Sequence, residues 1–323
     1  MADIRDLVPF VAAPQWGAWE PVALSMIVSG AMAMVAASLA SWQAGNQART
    51  SLFAFVSVCA LACGLYGVSV PLEQPWRAWE FYARPAFTSW TAWGAWLAPL
   101  CLVCGLVLLW RMRPGRGAPR AMSLSGLASG CLVLAYATGE VRACVGRELW
   151  ASPWSTLALL AAGATGAAGL AVLLGPCVPG GDGPVSAYRR KLSLACALMA
   201  VCCLLPALLV RAPEGFAPLV GPWWHGPEVL MALAGTCALA VGSRRPRAMA
   251  ARGAAGVLAA VLLTWKIIHM GEIFGRNASL YPARLAFSDL ASAEALAAFA
   301  GTAGLMLLLA LALPRLMPST PTT

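Results

Sequence analysis

Hydrophobic positions in this chain fall into long continuous runs broken by short polar stretches. A helix needs roughly 20 mostly apolar residues to cross a bilayer, and nine runs reach that length. They lie at about 21–42, 52–72, 89–110, 121–140, 154–175, 192–211, 226–243, 254–274 and 292–313. Because they occupy most of the chain, no sizeable soluble domain is left. The pattern predicts an all-α fold: a polytopic membrane bundle of eight to nine transmembrane helices, arranged as two four-helix bundles plus one C-terminal helix. An outer N-terminal segment 1–20 precedes the first bundle, 21–175, and the second bundle with its C-terminal helix covers 176–323.

Composition sharpens this. Of 323 residues 60% are hydrophobic and 11% charged, too little polar surface for a water-soluble domain. The net charge of +9 sits in short loops, where Lys and Arg orient a membrane chain rather than bind nucleic acid. Thirteen basic residues, mainly in the loops 111–120, 176–191 and 244–252, fall on one side against eight on the other. The N-terminus is therefore expected outside and the C-terminus inside a bacterial inner membrane. MADIRDLVPF lacks the basic start and apolar core of a cleavable signal peptide.

Nine of the eleven cysteines lie inside apolar runs, where Cys acts as a small apolar residue. CLVC at 101–104 is mid-helix and is weak ground for a metal site. With only two histidines, His225 and His269, the chain cannot supply the four axial ligands of a di-haem anchor, so neither haem nor metal is expected.

Ionisable residues at membrane depth are costly and mark function. Here they gather toward the outer side: Glu20, Glu140, Arg142, His225, Glu228, Lys266, His269, Glu272 and Glu294. In TWKIIHMGEIFGRN, Lys266, His269, Ile273 and Arg276 follow one helical stripe with Glu272 in reach, a spacing that suits a proton relay of Lys266, His269, Glu272 and Arg276. An ion-paired helix end that docks on its neighbours has the same spacing.

PWRAWEFYARPAFTSWTAWGAW, residues 75–96, holds five of the fourteen tryptophans. Helical spacing puts Trp76, Trp79, Ala83 and Phe87 on one side and Arg77, Glu80 and Arg84 on another, which predicts a short interfacial helix over 75–85. Pro75 suits its first turn, Pro85 ends it, and Ser89 is placed to cap the third run. Such a surface serves as a membrane belt or as a docking face; the docking candidates are Trp76, Arg77, Trp79, Arg84 and Arg147.

TSWTAWGAW (88–96), after PWRAW and ARP, resembles the hallmark of NrfD/PsrC-type membrane anchors, whose pattern runs approximately DLGRPxRFW and then HPNxTSWMSWGAW. YATGEVRACVGRELWASPW, from Tyr136, is similar to that family's Tyr-x-Gly and Arg-x-x-Trp-Asn-x-Pro elements. GEIFGRNASLY (271–281) resembles the GRFLFY-like end of the related DMSO-reductase anchors. The chain departs from the pattern at Pro71 and Gln74, where the family has Asp and Arg, and at Ala151, where it has Asn. The resemblance implies an anchor subunit of a polysulfide-reductase or DMSO-reductase type respiratory oxidoreductase, itself without a catalytic residue. It further implies a bound menaquinone or ubiquinone, a ferredoxin-like iron–sulfur partner and a catalytic molybdopterin subunit. The residues so implied in quinone binding are Tyr136, Gly139, Glu140, Arg142, Trp90, Trp93, Trp150, His269 and Glu272. Tyr136 would donate to a carbonyl, Glu140 or the His269–Glu272 pair would take protons, and Trp90, Trp93 and Trp150 would wall the slot. A small-molecule transporter and a purely structural anchor stand as the alternatives.

Overall fold

The computed structural model describes residues 17–42, 47–112, 119–144, 148–178, 234–235, 237, 239, 246–273 and 292–316. In chain order the helices are α1 (Trp19–Ser41), α2 (Gln47–Ser69), α3 (Glu80–Ala83), α4 (Trp90–Arg111), α5 (Arg120–Ala143), α6 (Glu148–Ala151), α7 (Pro153–Leu174), α8 (Pro246–Ile273) and α9 (Ala293–Leu316). Single 3-10 turns occupy Pro75–Arg77 and Gly175–Cys177. Among the described residues, seven helices are long and apolar enough to cross a membrane: α1, α2, α4, α5, α7, α8 and α9. A bilayer offers no hydrogen-bond partners to the backbone, and a helix satisfies its own.

Each of these seven covers an expected run, with shifts at the ends that have local causes. Helix α2 begins at Gln47 rather than near 52, since the polar Gln47, Arg49 and Ser51 extend it past the apolar stretch. It stops at Ser69 because Pro71 disfavours helical backbone at the residue before it. The expected run 192–211 lies outside the described residues. Of 226–243 only Ala234, Gly235, Cys237 and Leu239 are described, all four helical.

Side-chain contacts fix the helix directions. A methyl group at Gly67 near the end of α2 would meet Ala23 near the start of α1, so the two are antiparallel. Ser41 donates to Ser123 at 2.6 Å, joining the end of α1 to the start of α5. Gln47 Nε2 donates to the Met112 carbonyl at 3.3 Å, joining the start of α2 to the end of α4. Helix α1 lies at the centre, packed on α2, α5, α7 and α8, and is buried along most of its length. Small residues permit this closeness, as is usual where lipid supplies no hydrophobic drive between helices. At the α7–α8 crossing, a Cβ at Gly169 would stand 2.8 Å from the Gly253 carbonyl oxygen, so backbone meets backbone there.

The alternating directions sort the charges. Arg49, Arg111, Arg120, Arg247, Arg252 and Arg315 share one end, while the opposite, loop-rich end carries the 70–89 segment, α6 and the last turns of α5 and α8.

The stretch expected as one helix over 75–85 is instead two short turns, Pro75–Arg77 and Glu80–Ala83. The first hydrogen-bonded turn of a helix is costly, and an exposed stretch of this length gains too little packing to propagate it. Ser89 does occupy the N-cap position of α4 with extended backbone (φ −98°, ψ 132°), yet its side chain makes no capping hydrogen bond.

Candidate functional site

At the loop-rich end, α4 and α5 interlock through two glycines. A Cβ on Gly139 of α5 would lie 2.6 Å from the ring of Trp90 on α4, so the indole covers bare backbone. In return, a Cβ on Gly94 of α4 would collide with the hydroxyl end of Tyr136 on α5. Each helix thus lays an aromatic ring on a glycine of the other. Gly94 belongs to TSWTAWGAW, while Tyr136 and Gly139 belong to YATGE, so the two motifs are halves of one contact.

A polar group sits inside this contact. Thr91 Oγ1 donates to Glu140 Oε1 at 3.3 Å, and Tyr136 interacts with the same carboxylate from one turn earlier on α5. Tyr136 and Glu140 are half-buried, whereas Trp90 keeps 43% of its surface exposed. The cluster presents a flat apolar ring, a hydroxyl donor and a carboxylate, open to the outside of the bundle.

Other expected site residues are placed elsewhere. Trp93 donates its Nε1–H to the Phe87 carbonyl at 3.0 Å and packs on the Phe87 ring, 5.2 Å between centroids. Trp96 meets Tyr82 edge-on at 5.3 Å. These two indoles fasten the 80–89 segment to α4. Trp150, only 2% exposed, donates to the Ile267 carbonyl at 2.7 Å and lies against Gly271, where a side chain would strike the indole. It clips α6 to α8, and α6 also packs on α5.

His269 and Lys266 are buried on α8. The His269 ring lies 4.5 Å from Trp265, which packs with Ala18 just before α1 and with Val22, Cys63, Ala295 and Ala298 of α1, α2 and α9. Successive helical residues turn by about 100°, so this face of α8 is nearly opposite the one at Ile267 and Gly271 that receives Trp150. The candidates therefore fall into two groups, one at α4–α5 and one at α8–α9, with Trp150 between α5 and α8. Arg142 is exposed at the end of α5. The Glu272 backbone lies in the last turn of α8, while Arg147, Arg276 and His225 lie outside the described residues.

Four of the five docking candidates, Trp76, Arg77, Trp79 and Arg84, lie on the 70–89 segment. Trp76 and Trp79 are 70% and 60% exposed. Arg77 grips Glu80 through Nε to Oε1 at 2.7 Å and Nη2 to Oε2 at 3.0 Å, and Nη1 reaches Gln74 at 3.0 Å. The hydrogen bond from Arg77 holds the Glu80 carboxyl below the ordinary carboxylate range, and the same bond raises Arg77. Thr91 and Gly94 were not among the sequence candidates, although both stand inside the quoted motif.

Fold and site together define a multi-pass helical membrane protein whose described aromatic groups and carboxylates are concentrated at one end. The family model for polysulphide reductase, NrfD, matches residues 12–215, and the chain belongs to that family. Its members are membrane subunits of quinone-linked oxidoreductase complexes. No curated protein matches the chain.

Proposed function

We propose that this chain binds quinone at the α4–α5 cluster and passes electrons between the quinone pool and a docked iron–sulfur subunit. The observation that carries the reading is the reciprocal contact of Trp90 on Gly139 and Tyr136 on Gly94, with Thr91 and Tyr136 both on Glu140. A bound quinone, menaquinone or ubiquinone, supplies exchange of two electrons and two protons with the membrane pool. The chain's residues do the rest. Trp90 gives a flat apolar wall, the Tyr136 hydroxyl orients a carbonyl, and Glu140 holds or releases a proton between Thr91 and Tyr136. Exposure of Trp90 leaves a route of entry from lipid. His269, on the Trp265 face of α8, is assigned no quinone contact.

The partner is a ferredoxin-like iron–sulfur subunit with a molybdopterin subunit beyond it, docked through Trp76, Arg77, Trp79, Arg84 and Arg147. The arginine-rich end faces the cytosol, which puts the N-terminus and the site on the outside of a bacterial inner membrane. The test is quinol oxidation by the assembled complex carrying Tyr136→Phe or Glu140→Gln. Glu140→Gln is expected to fall about a hundredfold or more, the usual scale of a lost positioned acid or base, and Tyr136→Phe about threefold to tenfold, the scale of one hydrogen bond. Unchanged rates in both, with quinone analogues still bound, would move the site elsewhere, and flux of a small solute through the chain alone would favour a transporter.

A further inference from the structure

A concavity of about 410 Å³ opens between the 70–89 segment and the first turn of α4. It lies on the other side of α4 from the α5 contact, since Ala92 lines it while Gly94, two residues or roughly 200° on, meets Tyr136. Leu72 and Phe81 make part of it apolar, and Glu73, Arg77, Glu80 and Arg84 line it with charge. Arg77 is consumed by Glu80 and Gln74. The side chains of Arg84 and Glu73 make no hydrogen bond or ion pair with any described residue. Among the described residues, one cation and one anion are thus left on the same rim, beside the apolar Leu72 and Phe81.

A simple anion would meet repulsion from Glu73, and a simple cation from Arg84; a ligand carrying both charges satisfies each. We propose that this pocket holds the headgroup of a zwitterionic amino-phospholipid, its phosphate on Arg84 and its ammonium on Glu73. The acyl chains follow the stripe of Trp96, Leu100 and Val103 on α4, three exposed apolar residues at helical spacing. The lipid would brace the 70–89 segment against the bilayer, independently of any quinone at the opposite face of α4.

The experiment is native mass spectrometry of the purified full chain titrated with short-chain phosphatidylethanolamine, phosphatidylglycerol and the chain-free headgroup glycerophosphoethanolamine. The wild type should retain phosphatidylethanolamine about threefold to fivefold better than phosphatidylglycerol, the range for exposed ion pairs. Glu73→Gln should erase that preference and Arg84→Gln should weaken both lipids; both side chains are exposed and leave the fold intact. Equal retention of the two lipids by the wild type, or unchanged retention by both variants, overturns the proposal. So does a headgroup that binds as tightly without its chains, which would make the ligand a soluble metabolite.

Discussion

Gly94→Ala is the sharpest probe of the α4–α5 contact. The new methyl would be built into the hydroxyl end of Tyr136, whose Cζ and Oη are the nearest atoms. Carbon atoms pack at about 3.5–4.0 Å, so the phenol must swing aside by roughly 1 Å or more, or the helices must part. Overpacking of this kind costs ~1–3 kcal/mol, offset by up to ~1 kcal/mol from the better helix propensity of alanine. With the full offset the net loss is up to about 2 kcal/mol. The hydroxyl also leaves Glu140 and any ligand carbonyl, a hydrogen bond worth ~0.5–1.5 kcal/mol, or about threefold to tenfold in quinone-analogue affinity. Thermal unfolding in detergent and analogue titration read the two effects separately. Gly304→Ala on α9 is the matched control, since a Cβ there meets nothing within 4 Å; it should hold or raise stability, with binding unchanged. The reasoning fails if Gly94→Ala binds analogue within twofold of wild type, or if Gly94→Ala is equally costly once Tyr136 is already Leu.

Three further outcomes follow from the same geometry. Trp150→Phe removes the donor to Ile267 and should cost ~1–3 kcal/mol in unfolding, seen as faster hydrogen exchange at the end of α8. Glu294→Ala removes the acceptor that Ala18 N–H meets at 2.8 Å, so exchange in the first turns of α1 and α9 should rise about fivefold to tenfold together. The Arg77–Glu80 pair sets a pH dependence: because the folded Glu80 pKa is depressed, its contribution is present above the ordinary carboxylate value and is lost as pH falls through the folded value. Trp76 and Trp79 fluorescence should therefore report loosening of the 70–89 segment on acidification, and none between neutral and mildly alkaline pH.

The sequence carried the membrane helices plainly, because bilayer thickness alone turns run length into a span and no partner need be known. It carried the ion pair too: Arg77 and Glu80 sit three residues apart, and they meet. It carried side-chain direction poorly. Trp90, Trp93 and Trp96 recur at three-residue steps and look equivalent, yet Trp90 turns to Gly139 on α5 while Trp93 and Trp96 turn back to Phe87 and Tyr82. Trp150 was legible as an aromatic near a membrane boundary, but its clip onto α8 depends on a bare backbone at Gly271, more than a hundred residues away in sequence. The likeness of TSWTAWGAW and YATGE to one family was visible separately in each; that Gly94 and Gly139 make them one site required the packed helices.

The account rests on quinone meeting α4 and α5 at the loop-rich end. A photoreactive quinone analogue, crosslinked in the assembled complex and mapped by peptide mass spectrometry, tests this directly. Labelling is expected at 90–94 and 136–140, lost on competition with native quinone and diminished by Gly94→Ala. Labelling confined to the Trp265–His269 face of α8, or dispersed along the lipid-facing helices with no effect of competitor, would contradict it.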